Sequence, residues 1–167
     1  MISKTHMLKA ISNTSPLLYL YRIGAIHWLP ELFDEVWIPE AVKNELLAGR
    51  SKGYDVPNPD DYLWLRVVNP KSMPSEWLAL DLGVGEIAAM ALALENPKRI
   101  VLLDDMLARR TAQVAGLQVW GTLKVLLEAK SHGLVDKIEP YITKLSESGM
   151  WVSAEVRQRI LKLAGES

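Results

Sequence analysis

Residues 99–105 read RIVLLDD, and this stretch decides the fold. After Arg99 the run is unbroken and apolar as far as Leu103, then stops at Asp104-Asp105. A strand with one wet face alternates apolar and polar residues. A strand covered on both faces reads as a continuous Val/Ile/Leu run. Arg99–Leu103 is therefore expected inside a sheet, with helices above and below it. The segments on either side agree. Upstream, Gly83 and Gly85 precede a strong helix, Glu86–Glu95 (EIAAMALALE), which Pro97 ends. Downstream, a helix runs to Ala115 with Gly116 as its stop, and Leu117–Trp120 is a short strand. Gly121-Thr122 then opens the helix Leu123–Ser131, which Gly133 stops.

The same alternation extends toward the N-terminus. Met7–Ser12 (MLKAIS) reads as a buried strand. Asn13-Thr14-Ser15-Pro16 offers caps and a first-turn proline for a helix, Leu17–Ile23. A second helical piece covers Ile26–Phe33, Val36–Ile38 is a strand, and Pro39 opens the helix Glu40–Leu47. Ala48–Tyr62 is rich in Gly, Pro, Asn and Asp and reads as an excursion within one domain. Leu63–Val68 is a further strand. The C-terminal part is helical, with Ile138–Leu145 and a Ser153-capped helix, Ala154–Ala164. Strand–helix alternation of this kind argues for an α/β fold with a mainly parallel, twisted sheet and helices on both faces. The chain is expected to form a single domain over residues 1–167, with a core at about 7–132 and C-terminal helices at 137–165.

Composition narrows the chemistry. With 167 residues, 49% of them hydrophobic, one sizeable core can be buried. The net charge of −1 supplies no global attraction for nucleic acid, so binding there needs a local basic patch. There is no cysteine, which excludes disulfides, thiolate chemistry and Cys-ligated zinc. His6, His27 and His132 lack metal-ligand spacing. A signal peptide is not expected, because Asn13, Ser15 and Arg22 interrupt the apolar region near the start. No apolar stretch approaches the roughly 18 residues of a membrane span. A cytoplasmic location with no membrane partner is expected. Trp28, Trp37, Trp64 and Trp120 lie in apolar contexts suited to a core, whereas Trp77 and Trp151 border loops or helix starts.

Ligands of open parallel sheets sit beyond the carboxyl ends of the strands. Asn13-Thr14-Ser15 follows the first strand and Asp104-Asp105 follows RIVLL. Glu86 opens the helix before that strand, and Glu45 lies near the end of the helix after the second. Each has a bland reading: Asn13, Ser15 or Asp104 as helix caps, Asp105 and Glu86 as dipole partners, Glu45 as a solvated residue. Taken together, converging carboxylates repel unless a cation joins them. Mg²⁺ and Mn²⁺ prefer such oxygen ligands. Arg109, Arg110, Arg50 and Lys52 lie close by in sequence, either as phosphate contacts or as a solvated face.

The segments SNTSPLLYLYRIG, VWIPEAVKNEL, LDLGVGEIAAMALALE and RIVLLDDMLARRTAQVAGLQVWGTLKVLLEAK resemble, in order and spacing, the PIN-domain superfamily, in particular a prokaryotic PIN-like branch related to the VapC toxins. They span about Leu8 to Lys130. The resemblance implies a three-layer sandwich whose clustered acids bind one or two Mg²⁺ or Mn²⁺ ions and cut RNA. By position, Glu45 resembles the second acid, Glu86 the third and Asp105 the fourth, with Asp104 auxiliary. Thr14 or Ser15 resembles the supporting hydroxyl. Asn13 stands where most of the family has Asp; its amide oxygen can coordinate Mg²⁺ but brings no charge. Arg109 and Arg110 become candidate contacts to RNA phosphates. The resemblance also implies a toxin–antitoxin role, a small antitoxin partner and a homodimer. The alternative is a catalytically weak or inactive PIN module that binds nucleic acid or a protein partner. A phosphotransfer domain of the receiver or dehalogenase type is disfavoured, because both need their acids after the first strand.

Overall fold

The computed structural model describes residues 8–167. Met7, expected in the first strand, lies outside them. Among these residues five strands form one sheet: β1 (Leu8–Ser12), β2 (Phe33–Ile38), β3 (Leu65–Val67), β4 (Ile100–Leu102) and β5 (Val119–Trp120). Their order is β3-β2-β1-β4-β5, and every pairing is parallel. The described residues contain nine α-helices: α1 (Thr14–Arg22), α2 (Leu29–Leu32), α3 (Glu40–Ser51), α4 (Ser75–Leu78), α5 (Val84–Glu95), α6 (Met106–Val114), α7 (Thr122–Ser131), α8 (Glu139–Glu147) and α9 (Ala154–Leu163).

Side chains of a strand point alternately to its two faces, and here each face carries its own core. Ala10, Val36, Ile38, Ile100 and Leu102 join a cluster with α1, α2, α3, α7 and α8. Ile11, Val101 and Leu103 join the other, with Trp77 of α4 and the buried faces of α5 and α6. The result is the expected three-layer α/β sandwich. Helix α5 is deeply enclosed, with Ile87 through Ala93 all buried. Its alanines let it lie close to the sheet, and it carries Glu86 in its first turn.

The polar residue that opens the decisive stretch is also accounted for. Arg99 is only 6% exposed, yet its charge is matched. Its guanidinium lies 3.3 Å from the Trp37 ring centroid, forms an ion pair with Glu35, and donates to the Ala10 carbonyl oxygen at 3.4 Å. The hydrogen bond from Arg99 holds the Glu35 carboxyl below its ordinary range.

Several expectations need correction. Ile26–Phe33 is not one helix: a 3₁₀ turn at Ile26–Trp28 leads into the short α2, and Phe33 begins β2. Phe33 pairs with Leu8 in the sheet and packs its ring on Trp120 at 5.4 Å, so tertiary pairing overrides the local pattern. The strand read at Leu63–Val68 shrinks to Leu65–Val67, because an edge strand has one neighbour to hold it. Helix α3 runs on to Ser51, so the loop after it starts later than its composition suggests. No helix is read from the sequence at α4; Trp77, expected beside a loop or helix start, lies in its first turn and is buried.

Overpacking a close helix–sheet contact costs about 1–3 kcal/mol. Replacing fully buried Ala89 by leucine should lower stability by that amount, measured by urea unfolding. An unchanged midpoint would show that α5 has room to move away from the sheet.

Candidate active site

The strand order places the candidate residues together. Strands β2 and β3 continue to one side of β1, and β4 and β5 lie on the other. The chain therefore reverses direction across the sheet between β1 and β4, the switch point beyond whose carboxyl ends open α/β sheets take their ligands. Ser12 is paired with Leu102, so Asn13 and Asp104-Asp105 emerge side by side.

Asn13 occupies the N-cap position of α1 but makes no side-chain cap bond. Its backbone N–H instead donates to the Leu102 carbonyl at 3.1 Å, extending the β1–β4 ladder. The side chain is buried, at 4% exposure, and its Oδ1 has no hydrogen-bond partner. A buried polar atom left unpaired costs about 1–3 kcal/mol. The cap reading fails for Asn13, and its oxygen remains available to a ligand.

Glu45 comes from α3, on the opposite side of the sheet from α5, and bridges the two. Thr14 Oγ1 donates to Glu45 Oε2 at 2.5 Å, and the Gly85 N–H donates to Oε1 at 3.1 Å. A Cβ at Gly85 would lie 2.6 Å from Glu45 Oε1, so a side chain there would displace the carboxylate from its present place. Next to it, Glu86 Oε1 accepts the Gly83 N–H at 2.8 Å, reaching back to the N-cap backbone of its own helix. Burial raises the Glu86 carboxyl above its ordinary range; the Gly83 bond opposes this, and the charges of Asp105, Glu45 and Asp81 add to the rise. Glu86 thus senses Asp105 and Glu45, and the carboxylates repel one another. Asp105 is the N-cap of α6, with Oδ2 accepting from Ala108 N at 2.9 Å. Asp104, rather than serving α6, turns to α7: Thr122 donates to it through both N–H and Oγ1, each at 2.8 Å. Ser15 lies half-buried in the first turn of α1. Arg109 is half-buried beside Gly121, whereas Arg110 is exposed.

The donor set suits a hard divalent cation. It is all oxygen, includes a buried orphaned amide oxygen, and concentrates negative charge that a cation would relieve. Among the described residues, no three His, Asp or Glu side chains alone make a ready metal cage. Mg²⁺ commonly takes only one or two carboxylates and keeps several waters. Two positions escaped sequence reasoning. Gly85 was read only as a helix opener, and Gly121-Thr122 likewise, although each approaches a site carboxylate closely.

A doubly wound α/β domain with carboxylates at its switch point is a common frame for metal-assisted chemistry on phosphates. A family model described as a PIN domain matches residues 9–166, and the chain belongs to that family. No curated protein and no solved structure matches it. No helix among the described residues is long and apolar enough to cross a membrane.

Gly85→Ala should push Glu45 off both its donors and weaken Mn²⁺ affinity about tenfold, comparable to loss of a supporting partner. Titration calorimetry checks this, and unchanged affinity would show that Glu45 is free to re-form its contacts. For the metal-free protein the raised Glu86 value fixes a sign. The folded state gains from protonating Glu86, and this gain is lost as pH rises from about 4.3 through the raised value. Glu86→Gln keeps the Gly83 bond and removes the charge. It should stabilise the metal-free protein at pH 7 by about 1 kcal/mol while weakening Mn²⁺ binding. Equal melting temperatures for the two proteins at pH 7 would contradict the repulsion.

Proposed function

We propose that this PIN domain is a divalent-metal-dependent endoribonuclease. The observation that carries the reading is the buried, unpartnered Oδ1 of Asn13, at the strand edge that also carries Glu86 and the charges of Asp105 and Glu45 that act on it. In this reading Asn13, Glu45, Glu86 and Asp105 hold Mg²⁺ or Mn²⁺. When bound, the cation supplies Lewis acidity at a phosphodiester oxygen and lowers the pKa of a water. The protein's own groups do the rest. Thr14 and Gly85 fix the direction of Glu45, and the cap bond to Ala108 fixes Asp105. Glu86 Oε1 is committed to the Gly83 N–H, which leaves Oε2 to face the cation. Asn13 contributes an oxygen without charge, so metal affinity is lower than an aspartate there would give.

The resemblance to VapC toxins extends the proposal to the toxin half of a toxin–antitoxin pair, with single-stranded RNA as substrate, a small antitoxin as partner and a homodimer as the working form. The alternative, a binding module with little or no activity, differs by its metal and cleavage behaviour.

Purified protein should cut a mixed single-stranded RNA in Mn²⁺ or Mg²⁺ but not in EDTA. A Glu45→Gln/Asp105→Asn double variant should lose at least about 100-fold of the rate. Equal cleavage by the double variant would remove these residues from the site. Absence of cleavage by the natural protein, restored by Asn13→Asp, would establish the inactive-module reading.

A further inference from the structure

Asp104 was read as an auxiliary metal ligand, but its carboxylate is already engaged. Oδ1 accepts the Thr122 N–H and Oδ2 accepts the Thr122 hydroxyl, each at 2.8 Å. These bonds fasten the segment after β4 to the first turn of α7, where a negative charge is favourable. Arg109, one turn into α6, reaches toward the same place. Its Nη1 lies 3.2 Å, and Asp104 Oδ1 3.3 Å, from the point that a Gly121 Cβ would occupy. The missing side chain of Gly121 leaves room for the guanidinium and the carboxylate to approach the same point.

Arg109 is steered there without being consumed. Among the described residues it forms no ion pair, in contrast to Arg99 and Arg157. A half-buried guanidinium with free N–H groups, on the same sheet edge as the acids, can grip a phosphate with two parallel bonds. Arg110, one residue on, points about 100° away around the helix and is exposed.

We propose that Asp104, fixed by Thr122, is a positioning residue that holds Arg109 in the space left by Gly121, where Arg109 grips a phosphodiester flanking the scissile one. Asp104 is then no ligand of the cation. This rests on the nuclease reading above, and the test separates the two.

Mn²⁺ affinity is measured by calorimetry without RNA. Binding of a fluorescent single-stranded RNA is measured in EDTA at several salt concentrations. Gly121→Ala puts a methyl group against Arg109, at a backbone conformation (φ −90, ψ 176) that alanine accepts, so it leaves the fold intact. Gly121→Ala, Arg109→Ala and Asp104→Asn should each weaken RNA binding about tenfold and reduce the salt slope by roughly one phosphate contact. Their Mn²⁺ affinity should stay within about twofold of the natural protein, whereas Asp105→Asn loses Mn²⁺ and spares RNA binding. A fall in Mn²⁺ affinity for Asp104→Asn as large as that for Asp105→Asn would assign Asp104 to the metal and overturn the proposal. Undiminished RNA binding by Gly121→Ala and Arg109→Ala would also overturn it. If the natural protein binds no Mn²⁺ yet its RNA binding still depends on Arg109, Gly121 and Asp104, the nuclease reading falls and the positioning role stands.

Discussion

Ile100, Val101 and Leu102 are buried on both sides of the sheet, so β4 needs one helical layer above and another below. Parallel strands can be joined only by crossovers long enough to hold a helix, and those helices supply the layers. The crossovers bring every strand into the sheet with the same orientation, so all carboxyl ends fall on one edge. The order β3-β2-β1-β4-β5 puts the switch point there between β1 and β4. The site is a consequence of how the strands are covered. Even Arg99, the exception in the apolar run, is matched by Glu35 and Trp37, so the strand begins without an unpaired charge.

At the strand ends, like charges are kept in place by hydrogen bonds from the first turns of α1, α5, α6 and α7. Glu45 is held by Thr14 and Gly85, Glu86 by Gly83, Asp105 by Ala108 and Asp104 by Thr122. Such pre-set geometry reduces the reorganisation needed when a cation or substrate arrives. The cost shows in the raised Glu86 carboxyl and the unpartnered Asn13 oxygen. Functional sites characteristically carry this kind of local disadvantage, which the surrounding fold outweighs.

Where periodicity and punctuation were strong, the sequence spoke clearly. RIVLL, the α5 run and the glycine stops at Gly116 and Gly133 all read correctly; both glycines have positive φ, as helix ends require. The start of β2 did not read, because Phe33 is drawn into the sheet by its partners Leu8 and Trp120, which lie far away in the chain. The acids could be singled out by type and position, yet their separate tasks could not. Nothing local distinguishes Asp104 from Asp105; one reaches 18 residues on to Thr122, and the other caps its own helix. Gly85 shows the same limit. Its role is to be absent beside Glu45, and only the meeting of α3 with α5 reveals that.

That meeting also has a mechanical side. The two hydrophobic cores lie on opposite faces of the sheet, with α3 packed into one and α5 into the other. Beyond the strand ends, the Thr14–Glu45–Gly85 contact joins them directly, so it is a seam between two halves that could otherwise loosen separately. Anything that pulls on this seam is felt in both halves. A ligand settling across it therefore works as a brace, coupling the rigidity of one layer to that of the other.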